Sequence, residues 1–177
     1  MTAEEFMALP EDSYRGYELV RGKLTRVSEP DPKPYHGHRI IHIGYLISKY
    51  LENHPIAYIS GESSVLLARD PDTVRSPDVF VTRNDNLPPH YDGEIDITPD
   101  LVIEVRSPSE RPGILRAKMA DYFAAGTSLL WVVDRRTRTV TIHRPASPAV
   151  VLATGTDRLT GDPVLPGFSC TLDELFR

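Results

Sequence analysis

Leu101-Val102-Ile103-Glu104-Val105 decides the fold: five residues without a turn former, apolar throughout except for one carboxylate. Such a run reads as a buried strand. Upstream, Pro77 precedes Asp78-Val79-Phe80-Val81, a second short apolar run that begins, again, with an acid. Downstream, a helix is expected from about Gly113 to Ala125, closed by Gly126 in the position of a C-cap glycine. Further strands are expected at Ala57 to Ser60, Ser64 to Ala68, Leu129 to Val133, Thr139 to His143 and Val150 to Ala153. Tyr17-Glu18-Leu19-Val20, an Arg21-Gly22 step and Lys23-Leu24-Thr25-Arg26-Val27 form a hairpin pattern. Thr2 and Glu5 have the spacing of a capping box and open a short helix to Leu9. Pro30 to Pro34 is a proline-rich loop. Apolar residues then recur at 40, 43, 46, 47 and 51, a helical stripe running from Tyr35 to about Asn53 and ending before Pro55. The order of elements predicts an α/β (mixed α+β) fold, a mixed central sheet covered by helices, and one domain over residues 1–177.

Composition narrows the function. The 177 residues carry 20 Lys+Arg against 25 Asp+Glu, a net charge of −5, so the whole surface is not built as a nucleic-acid footprint, although a local basic patch is compatible with that balance. A single cysteine, Cys170, excludes an internal disulfide. The longest uncharged stretches, Phe123 to Val133 and Pro145 to Thr156, are far shorter than the roughly 20 apolar residues of a membrane helix. The acidic start, Met-Thr-Ala-Glu-Glu-Phe, is unlike an export signal, and a cytoplasmic location is expected.

Glu104 is out of place in its strand. A buried carboxylate costs several kcal/mol unless it is paired, neutralised or bound to a cation. If the Asp78 and Glu104 strands are antiparallel neighbours, the start of one lies opposite the end of the other and the two acids meet. A shared divalent cation relieves their repulsion, and ligands that are all oxygen point to Mg²⁺, Mn²⁺ or Ca²⁺ rather than zinc. Two purely structural roles stand beside this: Glu104 paired with Arg106, two residues on, and Asp78 capping a turn. The next helix adds weight to the cation site. With Leu115, Met119 and Tyr122 as its core stripe, Lys118 shares their face and points towards the sheet, where snorkelling outwards is its alternative. Asp, Glu and Lys around a metal suit phosphodiester hydrolysis: the metal polarises the phosphate and acidifies a water, and the lysine orients that water or stabilises developing charge. Arg106, Arg111, Arg116 and Lys118 against the single acid Glu110 make a local basic excess that either holds phosphates or is a solvated loop.

The ordered set Tyr17-Glu18-Leu19 with Gly22, Pro77-Asp78, Pro99-Asp100-Leu101 leading into Glu104-Val105, Ser107-Pro108-Ser109, Lys118, Tyr122, Gly126, Trp131, Asp134, Pro166-Gly167-Phe168 and Leu175-Phe176 resembles the Uma-two family of restriction endonuclease-like proteins, in the PD-(D/E)xK nuclease superfamily. The likeness runs from Thr2 to Phe176. It implies a restriction-endonuclease-like core, Asp78 and Glu104 as metal carboxylates, and Glu18 as an accessory acid. Two residues after the Glu, where the superfamily pattern has Lys, this chain has Arg106, and arginine cannot act as a proton acceptor. The resemblance implies a catalytic lysine on the following helix, at Lys118 with Tyr122 beside it, which leaves Arg106 and Lys118 as two cations for one position; Lys118, on an independently anomalous helix face, is preferred.

Other signals carry less. His38 and His42 have chelating i,i+4 spacing but no glutamate follows His38, so the metalloprotease motif is absent; His36 or His38 is instead expected to assist at the nuclease cleft. Gly61-Glu62-Ser63-Ser64-Val65 lacks the last glycine of a nucleophile elbow, and no phosphate-cradling glycine loop occurs. Trp131 is expected in the core, and Asp134 at the turn that ends its strand. The expectation is a Mg²⁺- or Mn²⁺-dependent nuclease acting on DNA, with a homodimer as the simplest way to cut both strands. The alternatives are a catalytically silent nuclease-fold module for binding or assembly, and a hydrolase of another phosphate ester.

Overall fold

The computed structural model describes residues 1–10, 13, 15–27, 34–89, 91, 95–107 and 111–177. The start of the Pro30 to Pro34 loop, together with Pro108, Ser109 and Glu110, lies outside the described residues. The fold is mixed α+β, as expected. Six strands form the central sheet: β3 (Ala57–Gly61), β6 (Val79–Arg83), β7 (Leu101–Val105), β8 (Leu129–Asp134), β9 (Thr139–His143) and β10 (Val150–Leu152). They lie in the order β10-β9-β8-β7-β6-β3. β7 and β8 are parallel and their neighbours antiparallel. A parallel pair needs a crossover, supplied here by helix α3 (Pro112–Ala125), which starts on a proline and ends on Gly126 at φ +115°.

Side-chain alternation on the central strands sorts the core into two halves. Leu101, Ile103 and Val105 of β7 pack with Val79, Val81, Trp131 and Val133 against helix α2 (Pro34–Leu51), which contributes Ile40, Ile43, Ile47 and Leu51. Val102, Phe80, Leu130 and Val132 face the other way, towards Tyr122 of α3. Glu104 has the parity of Val102, so it belongs to the α3 side. Trp131 is 1% exposed and is a core residue.

A smaller sheet, in the order β2-β1-β5-β4, joins β1 (Tyr17–Val20) and β2 (Lys23–Arg26) to β4 (Val65–Ala68) and β5 (Thr73–Arg75), under helix α1 (Ala3–Met7). The hairpin step has φ of +50° at Arg21 and +72° at Gly22, the twist that a two-residue turn requires. The sequence pattern misses β5, which is only three residues long. It also misses the pair β11 (Arg158–Gly161) and β12 (Leu165–Thr171), where Pro166-Gly167 sits inside a strand. Helix α4 (Leu172–Leu175), opened by a Thr171/Glu174 capping box, was equally unforeseen. Among the described residues, no helix is long and apolar enough to cross a membrane.

Candidate active site

The β6–β7 register pairs Val79 with Ile103, and one further step sets Asp78 opposite Glu104. Glu104 is 3% exposed. Lys118 Nζ, one helix away, donates to both its oxygens at 3.2 and 3.1 Å, and the Tyr122 hydroxyl donates to Oε1 at 2.8 Å. Lys118 does not snorkel: it is buried, because its position on α3 leaves the ammonium above the one carboxylate of β7. Its Nζ also lies 3.3 Å from Glu18 Oε1. Asp78 accepts from the Val105 amide at 2.6 Å through Oδ2, and its Oδ1 lies 3.2 Å from His36 Nε2 at the start of α2.

Burial pushes the Glu104 carboxyl up to about 7; Lys118 opposes this, while Asp78 and Glu18 add to it. Burial alone would lower Lys118, but Glu104, Glu18 and Asp78 outweigh it and hold the ammonium charged. Lys118 faces a second acid, Glu18, beside Glu104. Burial, then the charges of Glu104 and Glu18, raise the Tyr122 hydroxyl well above its ordinary range, so it stays a donor. Lys118 is therefore a fixed cation, not a base of depressed pKa.

Arg75 and Asp121, unforeseen in the sequence, complete the cluster. Arg75, 2% exposed, donates to Glu18 Oε2 at 2.7 Å and clasps Asp121 through Nε at 3.0 Å and through NH2. Ser76 N donates to Glu18 Oε1 at 3.2 Å. A signal existed: an accessory acid at Glu18 demands a cation, and Asp121 is three residues from Lys118 on the same helix. Replacing Arg75 with methionine is expected to destabilise the fold by about 3 kcal/mol, because it takes from buried Glu18 its guanidinium partner and leaves only Lys118 and the Ser76 amide facing it. Urea denaturation measures this, and a loss below about 1 kcal/mol would show that the clasp is not what holds Glu18.

Asp78, Glu104, Lys118, Glu18, Tyr122 and His36 thus share one locality. Arg106 does not pair with Glu104: it turns away to Asp134, NH1 to Oδ2 at 2.9 Å, and lies at the edge of the cluster. Asp134 also ends its strand as expected, with Oδ1 accepting from the Arg136 amide at 2.9 Å. His38 is not at the cleft. It is exposed, and its ring lies 6.3 Å from that of His42, whose Nε2 is 2.8 Å from the Glu174 carbonyl. About half a turn of α2 separates His36, which meets Asp78, from His38, because a step of two along a helix swings a side chain through about 200°.

Asp78 and Glu104 are oxygen donors of the kind a hard divalent cation takes. Four acids, Glu18, Asp78, Glu104 and Asp121, face two cations, Arg75 and Lys118, so the cluster carries uncompensated negative charge. Among the described residues no three His, Cys, Asp or Glu side chains converge as ligands. An ion held by Asp78 and Glu104 would complete its shell with water, which is how Mg²⁺ is commonly bound.

The family model Uma2, described as "Putative restriction endonuclease", matches residues 3–173. A solved structure similar to this chain is described as "a putative nuclease belonging to DUF820 from Anabaena variabilis ATCC 29413". The two share 23% identity and a TM-score of 0.83, over 99% of this chain and 97% of that one, a likeness of fold. No curated protein matches the chain closely enough to count as a relative.

Proposed function

The chain belongs to the Uma2 family, described as putative restriction endonucleases, and from that premise we propose that it is a divalent-metal-dependent nuclease that hydrolyses phosphodiester bonds of DNA. One observation carries the reading: a buried glutamate on a central strand, an aspartate opposite it on the next strand, and a buried lysine bonded to both glutamate oxygens. Asp78 and Glu104 are the residues that would hold Mg²⁺ or Mn²⁺, which when bound supplies a polarised phosphate and a water of lowered pKa. Lys118 brings a permanent positive charge to the place where negative charge grows as the phosphorus is attacked. Tyr122 and Glu18 hold Lys118 and Glu104 in register, so little reorganisation accompanies the reaction. His36 fixes the Asp78 carboxylate from the α2 side. Arg106, partly exposed at the rim, receives a flanking phosphate, for which its guanidinium is suited.

The test is cleavage of supercoiled, linear and single-stranded DNA and of RNA, with Mg²⁺ and with Mn²⁺, beside an Asp78→Ala variant. Cleavage of DNA by the parent and not by the variant is the expected result. Equal behaviour of the two across the whole panel would overturn the proposal and favour a nuclease fold used for binding alone.

A further inference from the structure

Three arginines gather beside the site but outside it. Arg39 and Tyr35 are four residues apart at the start of α2, on one face of that helix. Across from them, the β8–β9 turn lays the Arg135 guanidinium on the Tyr35 ring, 3.7 Å from its centroid. Arg39 and Arg138 then stand 5.1 and 5.3 Å from the centroid of a single ring, Phe176.

Arg39 is 6% exposed. It donates through NH1 to the Leu175 carbonyl, which ties α2 to α4, but its buried Nε has no partner among the described residues. Nor does a carboxylate within salt-bridge distance of Arg39 or Arg135 appear there. The charges that bear on Arg39 are two more cations, Arg138 and Arg135, and with burial, the larger effect, they lower its pKa. Among the described residues Arg138 alone of the three has an acid within salt-bridge distance, Asp173 at 3.2 Å, and both side chains are more than half exposed. Guanidinium groups brought together with so little counter-charge are a site for an anion, since a buried charge is costly unless paired.

The location identifies the anion. Tyr35 adjoins His36, which touches Asp78, and Arg135 adjoins Asp134, which holds Arg106. Arg106 and Arg135 are therefore both placed where β7 and β8 end, and Arg39 and Arg138 meet beyond them on the Phe176 ring. A row of cations leading away from one cleft matches a repeating anion better than a lone one. We propose that Arg39, Arg135 and Arg138 are a second phosphate station, which binds the nucleic-acid backbone beyond the bond at Asp78 and Glu104. This rests on the nuclease reading for its ligand but not on cleavage.

The experiment is binding of a fluorescent DNA duplex to the full chain in EDTA, by anisotropy, over a range of KCl concentrations. Arg135→Ala with Arg138→Ala removes two exposed charges without opening the core. Affinity should fall on the order of tenfold, and the slope of log K against log[KCl] should become shallower by about two units. A variant matched in charge but outside the row, Lys23→Ala with Arg158→Ala, should keep the parent's slope. Equal losses in the two double variants would show an effect of net charge and overturn the station. So would an unchanged slope in the Arg135/Arg138 variant. The nuclease reading fails separately, if the parent binds with the predicted slope and cleaves nothing with metal.

Discussion

Replacing Glu104 with glutamine is expected to lower the rate of DNA cleavage by at least about 10²-fold. The substitution is nearly isosteric, yet it removes one of two oxygen ligands proposed for the metal. With the amide oxygen at the Oε1 position, which accepts from Tyr122 and Lys118, it also turns the NH₂ towards Lys118 Nζ, itself a donor. Part of the effect is therefore a loss of stability, about 1–3 kcal/mol for donors facing donors in a buried place. Asp78 separates the two contributions. It is less buried, its partners are one amide and one imidazole, and Asn can keep an acceptor for the Val105 amide. Asp78→Asn should leave the fold close to parent stability and still abolish most cleavage. Metal binding gives an independent readout: Mg²⁺ or Mn²⁺ should raise the Tm of the parent, as any ligand of the native state does. The double variant Asp78→Asn, Glu104→Gln should show no rise. An equal rise in the double variant would remove this pair from metal binding.

Lys118→Ala is expected to reduce turnover by about 10²- to 10³-fold with little change in DNA affinity, since a buried cation beside the reacting group acts mainly in the transition state. Arg106→Ala should do the opposite. Its guanidinium is partly exposed and already engaged by Asp134, so its loss should weaken binding and flatten the salt dependence by about one counterion. Lys118→Arg should be nearly as damaging as alanine. The ammonium sits within 3.3 Å of both Glu104 and Glu18 in a niche closed to solvent, and a planar guanidinium cannot enter it without moving one of them. Steady-state kinetics and equilibrium binding on the same four proteins decide the matter. Full activity in both Lys118 variants, with activity lost in the Arg106 variant, would assign the catalytic cation to Arg106.

The strand Leu101–Val105, the crossover helix ending at Gly126 and the α2 stripe were legible from local pattern, because periodicity and capping are written in neighbouring residues. The same pattern exposed Glu104 and Lys118, since a charge on an otherwise apolar face stands out without knowledge of its partner. Strand β5 and the β11–β12 pair were not legible: three residues are too few to show a period, and Pro166-Gly167 reads as a turn wherever the pairing around it is unknown.

By itself, then, the sequence determined which side chains are anomalous, the helices and strands that carry them, and the family. Partnership was decided by the tertiary structure alone. That Arg75 clasps Glu18 and Asp121, that Arg106 leaves Glu104 for Asp134, and that His36 rather than His38 meets Asp78 follow from sheet order and helix phase. A side chain of given charge accepts any opposite charge within a few ångströms, so composition cannot choose among partners. The choice is made when packing of the apolar faces sets each strand's neighbours and each helix's rotation, and the polar groups take the contacts that remain.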